Sequence, residues 1–226
     1  MQDQSKSERA TLTRIQENFL AQGERIVLNW LCKRMPEWVT PDRLTIFGLS
    51  GAAFTFLGYV GSNLHPLWLL LAIAGYVVNW FGDSLDGSLA RFRQIERPSY
   101  GYFIDHSCDG LATLLILSGM GLSPYVTMDM ALLALAGYFL LSIHAFLSAR
   151  VLGELRLSYV AAGPTELRLM LIGLTAAMLA LGSRPGLFGR ISGFDLFVGL
   201  VAAALVVLFG LQTLVTGKKL ARLDQR

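Results

Sequence analysis

Six apolar segments separated by short polar stretches are the feature that most constrains how this chain can fold. Hydrophobic residues make up 54% of the 226 residues and charged residues only 15%, whereas a soluble domain usually carries about 25% charged residues. A helix needs roughly 17–25 apolar residues to cross a bilayer. We therefore predict an all-α integral membrane protein with six transmembrane helices, at residues 43–61, 66–90, 102–122, 126–152, 165–181 and 194–216.

The residues before the first apolar segment have the pattern of a helix that lies on the membrane surface. Between residues 13 and 34, apolar and charged residues alternate with helical spacing, which predicts an amphipathic interfacial helix. Thr40 followed by Pro41 is typical of an N-cap and a first helical turn, so the first span should begin there. Small residues in that span predict close packing against a neighbouring helix; they are Gly48, Gly51, Ala52, Ala53 and Gly58.

The basic residues indicate which side of the membrane each loop faces. Six spans with both termini in the cytoplasm place all but two of the 19 Lys and Arg residues on the cytoplasmic side, the exceptions being Arg184 and Arg190. Cytoplasmic loops are enriched in Lys and Arg, so this orientation is the expected one. We expect a multi-pass protein of the bacterial inner membrane with cytoplasmic termini.

Four aspartates lie in or beside the apolar segments, where an ionised carboxylate is costly without a compensating cation. Asp83 and Asp86 are three residues apart, and Asp105 and Asp109 are four apart, so each pair shares one face of its helix. Two helices that each present two carboxylates form an all-oxygen site, which suits Mg²⁺ or Mn²⁺. Two such cations about 3.5–4 Å apart are suited to phosphoryl transfer.

Three residues after the first acidic pair extend this interpretation. Gly87 and Ala90 leave a bare strip of helix surface that a nucleotide or phosphate can approach closely. Arg91 follows directly and offers a guanidinium group for a pyrophosphate.

These residues resemble the signature of the CDP-alcohol phosphotransferases, Asp-x2-Asp-Gly-x2-Ala-Arg-x9-Gly-x3-Asp-x3-Asp. The matching residues are Asp83, Asp86, Gly87, Ala90, Arg91, Gly101, Asp105 and Asp109. The resemblance implies an enzyme of phospholipid synthesis that transfers a substituted phosphoryl group from a CDP-linked donor to an alcohol and releases CMP. The segments and charges of the sequence place a cytoplasmic segment with the surface helix at 1–42, a six-helix catalytic membrane domain at 43–217 and a short basic cytoplasmic tail at 218–226, and the family architecture agrees with this division.

The resemblance further implies a role for each matched side chain. Asp109 would be the catalytic base for the acceptor hydroxyl, whose pKa a neighbouring metal would lower. The ligands of two Mg²⁺ or Mn²⁺ ions would be Asp83, Asp86, Asp105 and Asp109. The nucleotide-binding residues would be Asp83, Gly87, Ala90 and Arg91. The expected partners are the CDP-linked donor, a lipid or small alcohol acceptor, membrane lipids and a second copy in a homodimer, with no nucleic acid.

The donor and the acceptor stay open between two branches of the family. In one branch CDP-diacylglycerol donates to a small polar alcohol, and in the other CDP-choline or CDP-ethanolamine donates to diacylglycerol. The Asp-His-Ser-Cys-Asp stretch at 105–109 and the Gly-Pro-Thr-Glu stretch at 163–166 are similar to the second branch, whereas the modest length is more like bacterial enzymes of the first. The expected acceptor pocket comprises Arg150, Glu166 and Arg168. The basic residues of this region, Arg150, Arg156 and Arg168, are too dispersed to favour a phosphorylated acceptor.

Four other residues have expected roles outside the signature. Asp42 stands where family members often have Asn, which puts a nucleotide contact there in doubt and leaves it as a residue near the start of the helix. Asn79 is expected either to make an interhelical hydrogen bond or to orient a carboxylate or contact the nucleotide. His106 should point about 100° away from the acidic face. His144 lies deep in the fourth span, where an ionisable group is by default a functional hypothesis.

A divalent-cation transporter that uses intramembrane carboxylates is the alternative function. Transport sites usually lie near the membrane midplane, whereas the predicted orientation places the four aspartates at the cytoplasmic boundary.

Overall fold

The structure, a computed structural model of the chain, describes residues 13–15, 21–152, 154–156, 163–183 and 191–224. Within these residues it has seven α-helices and two three-residue strands. The helices are α1 (Ala21–Cys32), α2 (Pro41–Gly61), α3 (Trp68–Phe92), α4 (Pro98–Gly121), α5 (Met128–Leu152), α6 (Pro164–Leu181) and α7 (Gly193–Leu223). The strands β1 (Thr13–Ile15) and β2 (Glu154–Arg156) pair in parallel.

Each predicted span coincides with one helix, from α2 to α7. The predicted start of the first span is confirmed, because Thr40 is the N-cap of α2, its hydroxyl accepts from Arg43 N at 3.3 Å, and Pro41 is the first helical residue. The largest difference between a predicted span and its helix lies at the C-terminal end of the last span. There α7 continues to Leu223, so most of the segment predicted as a separate basic tail at 218–226 is helical.

Five helices, α2, α3, α5, α6 and α7, are long and apolar enough to cross a membrane. The chain is therefore a multi-pass integral membrane protein. α4 has 24 residues, about 36 Å at 1.5 Å per residue, so its length also suffices for a core of about 30 Å. Asp105, His106 and Asp109 lower its mean hydropathy, and the sixth span stays a prediction.

The predicted helix over residues 13–34 is shorter in the structure. Residues 13–15 pair with β2 as a strand, so the prediction is wrong there: backbone pairing with a distant segment replaces local helical structure. Residues 16–20 lie outside the described residues, and α1 covers residues 21–32. Leu28 and Cys32 of α1 are buried with Leu85 and Leu89 of α3, so this helix packs directly on the acidic end of α3.

Helices α2 and α3 make the closest contact in the described part of the chain, through glycines. A Cβ at Gly82 would collide with the backbone of Gly48, and a Cβ at Gly75 would collide with Gly51. Gly58 meets the backbone of α3 in the same way. The predicted close packing of the small residues in the first span is therefore confirmed, and it fixes the acidic end of α3 against the start of α2.

A buried hydroxyl cluster holds α6 against the α2–α3 pair. The Tyr59 hydroxyl lies 3.1 Å from the Tyr76 hydroxyl and 2.7 Å from Thr175 Oγ1, and all three side chains are fully buried. On the other side of α2 lies α4, which packs on α5, and α5 packs on α7. Helices α3, α2 and α4 thus lie side by side, with α6 behind α3.

Candidate active site

The first acidic pair lies on the last turns of α3 and is held by neighbouring helices. Asp86 is almost fully buried, and its Oδ2 accepts from the Thr45 hydroxyl of α2 at 2.6 Å. The glycine contact between α2 and α3 makes this bond possible, because it brings the first turns of α2 against the end of α3. Thr45 was not predicted as a site residue, since only the packing of two helices reveals it.

Arg168 of α6 binds Asp83. Its Nη2 donates to Asp83 Oδ2 at 2.5 Å, and its Nε donates to Asn79 Oδ1 at 3.0 Å. The Asn79 amide also donates to Gly48 O at 3.0 Å, which confirms the predicted interhelical hydrogen bond. The Arg168 side chain is only 14% exposed, so this cation neutralises one aspartate inside the site.

The second acidic pair lies on α4 together with His106. His106 Nδ1 is 3.6 Å from Asp109 Oδ2 and 3.9 Å from Asp105 Oδ2. The expectation that His106 points away is therefore wrong: its Cα is rotated from the acidic face, but its side chain curls back between the two carboxylates. Ligand atoms of Asp105, His106 and Asp109 all lie within 4.8 Å of one another.

The two acidic pairs form one electrostatic cluster. The Asp105 carboxylate interacts with those of Asp109, Asp83 and Asp86, and the Asp86 carboxylate interacts with Asp83 and Asp109. Asp83, Asp105 and Asp109 remain a quarter to a third exposed. A group of carboxylates that is accessible on one side is a donor set that fits hard divalent cations. The group of Asp105, His106 and Asp109 includes an imidazole nitrogen. The expected all-oxygen site therefore does not contain every side chain here that could bind a metal.

The small residues of the signature leave open surface beside this cluster. A Cβ at Gly101 would meet nothing within 4 Å in the described part of the chain. At Gly87 the nearest group is the guanidinium of Arg91, 3.3 Å away, at the end of a flexible and exposed side chain. Arg91 itself donates to Ser88 Oγ at 3.3 Å. Gly87, Arg91 and the half-buried Ala90 border an accessible surface on α3.

The predicted acceptor residues each make a different contact in the structure. Arg168 binds Asp83, as described, whereas Glu166 Oε2 accepts from Gly163 N at the start of its own helix at 3.0 Å. Arg150 is exposed and lines a groove between α4 and α5. The side chain of Arg156 lies outside the described residues. The acceptor pocket of Arg150, Glu166 and Arg168 stays a prediction.

Glu24 of α1 is a further polar residue that contacts the helices of the site. Its Oε1 accepts from Trp80 Nε1 at 2.9 Å, Ser84 Oγ at 3.1 Å and Thr165 Oγ1 at 2.9 Å. One carboxylate oxygen thereby joins α1 to α3 and α6, next to Asp83 and close to Arg168 in sequence. Spacing within a single helix offered no signal for this contact.

Asp42, His144 and Tyr138 each interact with a residue of another helix or its N-cap. Asp42 forms an ion pair with Arg97 at the start of α4, which gives this departure from the family pattern a structural role. His144 Nε2 lies 3.2 Å from Thr216 Oγ1 and thus joins α5 to α7. Tyr138 of α5, which was not predicted, interacts electrostatically with Asp109 and Arg168.

Comparison with known proteins identifies relatives over about half of the chain. Cholinephosphotransferase 1 of Gallus gallus is 27% identical over 124 residues, covering 49% of this chain and 37% of that protein. The Rattus norvegicus protein of the same name is 29% identical over 128 residues, covering 50% and 32%. Archaetidylinositol phosphate synthase of Pyrococcus horikoshii is 30% identical over 104 residues, covering 46% and 52%. The chain thus matches about a third of the length of the two vertebrate relatives and half of the archaeal one.

A family model matches most of the chain. It covers residues 38–210 and carries the description CDP-alcohol phosphatidyltransferase. This range contains all eight residues of the signature and reaches from the segment before α2 into α7. The chain belongs to the CDP-alcohol phosphatidyltransferase family.

Proposed function

We propose that this chain is a phospholipid-synthesis enzyme that transfers a substituted phosphoryl group from a CDP-linked donor to an alcohol and releases CMP. The observation that carries the proposal is the cluster of four aspartates from two helices, bordered by the bare surface at Gly87 and Gly101. A diphosphate needs cations beside it and room to approach. The cluster offers ligands for the cations, and the glycines offer the room.

In this proposal the four aspartates hold Mg²⁺ or Mn²⁺, two ions per site. When bound, the ions supply neutralising charge and polarise the phosphoryl oxygens. Arg91 binds the diphosphate of the donor, and Asp83, Gly87 and Ala90 border its nucleotide. Arg168 holds Asp83 in place through an ion pair and contributes a positive charge at the edge of the site.

Asp109 is the proposed catalytic base. The acceptor oxygen forms a bond to the phosphorus that bears the donor's alcohol, and the bond from that phosphorus to the bridging oxygen breaks. CMP leaves with the bridging oxygen, and the hydroxyl proton moves to Asp109. Its carboxylate is one-third exposed and next to Asp105 and His106, so it is accessible to an acceptor.

The choice of donor and acceptor defines two versions of the proposal. Relatives named for choline phosphotransfer support transfer of a polar head group to a lipid alcohol. The relative named for archaetidylinositol phosphate synthesis supports transfer of a lipid phosphate to a polar alcohol. The Asp-His-Ser-Cys-Asp stretch and the dispersed basic residues near α6 favour the first version.

We also propose that α4 is the sixth span, because it packs between α2 and α5, both of which are long and apolar enough to cross the membrane. The distribution of Lys and Arg supports an orientation with both termini and the aspartate cluster at the cytoplasmic side. There a water-soluble nucleotide and a lipid can meet. Location in a bacterial inner membrane and homodimer formation stay predictions.

The experiment that tests the function is a substrate panel with the purified protein in lipid nanodiscs. CDP-choline and CDP-ethanolamine are each offered with diacylglycerol, and CDP-diacylglycerol is offered with serine, glycerol phosphate and inositol phosphate. We expect Mn²⁺- or Mg²⁺-dependent CMP release with at least one pair. No CMP release from any CDP-linked donor would contradict the proposal.

A further inference from the structure

One face of α1 carries Glu24, and hydrophobic packing sets where that face lies. Glu24, Leu28 and Cys32 follow one another at intervals of four residues, so they share one side of the helix. Leu28 and Cys32 are buried in a cluster with residues of α3. The half-buried carboxylate at the start of α1 is therefore placed against α3 as well.

On α3, Glu24 holds the turn that carries Asp83. Its Oε1 accepts from Trp80 Nε1 at 2.9 Å and from Ser84 Oγ at 3.1 Å. Ser84 follows Asp83 directly in the chain, and Trp80 lies one turn before Ser84. These two hydrogen bonds fix the acidic end of α3 relative to α1.

On α6, the same carboxylate oxygen holds the turn that carries Arg168. It accepts from Thr165 Oγ1 at 2.9 Å, and Thr165 lies in the first turn of α6, three residues before Arg168. A negative charge at the start of a helix also complements the helix dipole. Glu24 thus contacts both of the helix turns between which the ion pair of Arg168 and Asp83 forms.

Helix α6 is held at two levels along its length. Near its middle, Thr175 Oγ1 lies 2.7 Å from the Tyr59 hydroxyl of α2. Near its start, Thr165 donates to Glu24. The two threonines are ten residues apart, or about 15 Å along the helix, and Arg168 lies between them. Loss of the outer contact would let the first turns of α6, with the Arg168 guanidinium, swing away from α3 about the inner contact.

We propose that Glu24 is a positioning residue of the active site, because it ties the start of α6 to the end of α3 and so holds Arg168 on Asp83. The inference rests on the proposed function and deepens it, since it gives the helix before the first span a part in setting the charge of the metal site. With Glu24 bound, Arg168 neutralises Asp83. When this contact is lost, the ion pair opens and Asp83 becomes a stronger ligand for a cation.

The sign of the change in Mn²⁺ affinity separates this role from a direct effect of charge. Removal of a carboxylate near a cation site weakens cation binding by electrostatics alone. If Glu24 acts through Arg168, Glu24→Ala should instead raise the Mn²⁺ affinity by roughly three- to tenfold, because Asp83 loses its paired cation. Electron paramagnetic resonance of Mn²⁺ bound to the purified protein in nanodiscs measures this without any substrate.

Thr165→Val tests the contact with α6 without a change of charge. It removes the hydroxyl that donates to Glu24, whereas the hydrogen bonds from α3 to Glu24 remain. We expect a rise in Mn²⁺ affinity in the same range as for Glu24→Ala. Thr213→Val is the matched control, because it makes the same substitution at an exposed position of α7 and should leave the Mn²⁺ affinity unchanged.

A double-mutant cycle shows whether the effect passes through Arg168. Substitutions at independent sites have additive effects, whereas substitutions within one network do not. Arg168→Ala alone should raise the Mn²⁺ affinity by roughly tenfold. Addition of Thr165→Val to Arg168→Ala should change that affinity by less than about twofold, since the contact has then no ion pair left to position.

Two results would overturn the inference. One is an unchanged or lower Mn²⁺ affinity in Thr165→Val, which would leave Glu24 as an anchor of α1 only. The other is a full further rise when Thr165→Val is added to Arg168→Ala. CMP release is measured on the same samples. The expected pattern of Mn²⁺ affinities without CMP release from any CDP-linked donor would support the role of Glu24 and contradict the proposed function, so the two failures are distinguishable.

Discussion

Arg168 on α6 donates to Asp83 on α3 at 2.5 Å, so the acidic signature contains an internal cation in addition to any metal it binds. The same side chain holds Asn79, and Asn79 in turn holds the backbone of α2. The position of the first acidic pair is therefore set by three helices. Changes to these contacts should therefore alter both the affinity for the metal and the use of the donor.

Arg168→Ala should tighten Mn²⁺ binding while it weakens catalysis. Removal of a positive charge within a few ångströms of the cluster should raise the Mn²⁺ affinity by roughly tenfold in a partly exposed site. kcat/KM for the CDP-linked donor should fall, because Asp83 loses the contact that fixes its position. Electron paramagnetic resonance of bound Mn²⁺ and CMP release measure the two effects. Arg222→Ala, an exposed arginine near the end of α7, is the control, and unchanged Mn²⁺ affinity in Arg168→Ala would contradict the prediction.

Asp109→Asn should abolish transfer and preserve the fold. An amide cannot accept the hydroxyl proton, so kcat should fall by roughly 10²–10⁴-fold. Much of the Mn²⁺ binding should remain, because Asp83, Asp86 and Asp105 are intact. CMP release and a thermal unfolding curve in detergent check both statements. Near-normal turnover would remove Asp109 as the base.

Arg91→Ala should act on donor binding. The guanidinium is exposed beside Gly87, where nothing else in the described part of the chain lies within 3.4 Å of a Cβ built at that glycine. Loss of a charge-assisted contact to a diphosphate should raise KM for the donor by roughly tenfold and change kcat much less. Initial rates over a range of donor concentrations give both constants. An unchanged KM would refute the role of Arg91.

Gly48→Leu should separate α2 from α3. A Cβ at Gly48 already lies 3.1 Å from Asp83 N, and the rest of a leucine side chain has no space. Overpacking of this kind costs roughly 1–3 kcal/mol and should also break the Thr45–Asp86 bond. The melting temperature and CMP release should both fall. Gly173→Leu on α6 places the same side chain where a Cβ meets nothing within 4 Å, and a similar loss there would argue against the packing explanation.

Glu24→Ala should release α1 from the transmembrane helices. Cys32 on α1 is 2% exposed, and burial raises the pKa of its thiol, so little of it is the reactive thiolate at neutral pH. Loss of the three hydrogen bonds to Glu24 should speed alkylation of Cys32 by roughly tenfold through local opening. N-ethylmaleimide labelling in a Cys108→Ala background measures the rate. Arg25→Ala, at the exposed neighbouring position, should leave it unchanged.

Much of the fold was predictable because its signals are local. Apolar runs of membrane length predicted the positions of α2 to α7, and Thr40 with Pro41 predicted where α2 begins. Small residues predicted the close side of α2, since a helix contact of that kind requires them at regular intervals. Residues 13–15 were mispredicted because their partner, β2, lies 141 positions away in the chain.

Only the site residues on α3 and α4 were predictable, because their spacing within one helix can be seen in the sequence. Thr45 and Arg168 contact signature aspartates from other helices, and Glu24 contacts Ser84 between them. No pattern within one helix indicates which neighbour will face it. His106 was misjudged for a different reason: the rotation per residue fixes where a Cα lies, whereas the side-chain rotamer decides where an imidazole points.

The central claim is that aspartates from α3 and α4 form one metal site for a CDP-linked donor. The most direct measurement is a Mn²⁺ titration of the purified protein by electron paramagnetic resonance, with CDP-choline present, for the wild type and for Asp86→Asn and Asp105→Asn, one variant from each helix. We expect about two bound ions in the wild type and a marked loss of binding in both variants. Full Mn²⁺ binding in either variant would show that the two helices do not share a site and would contradict the account.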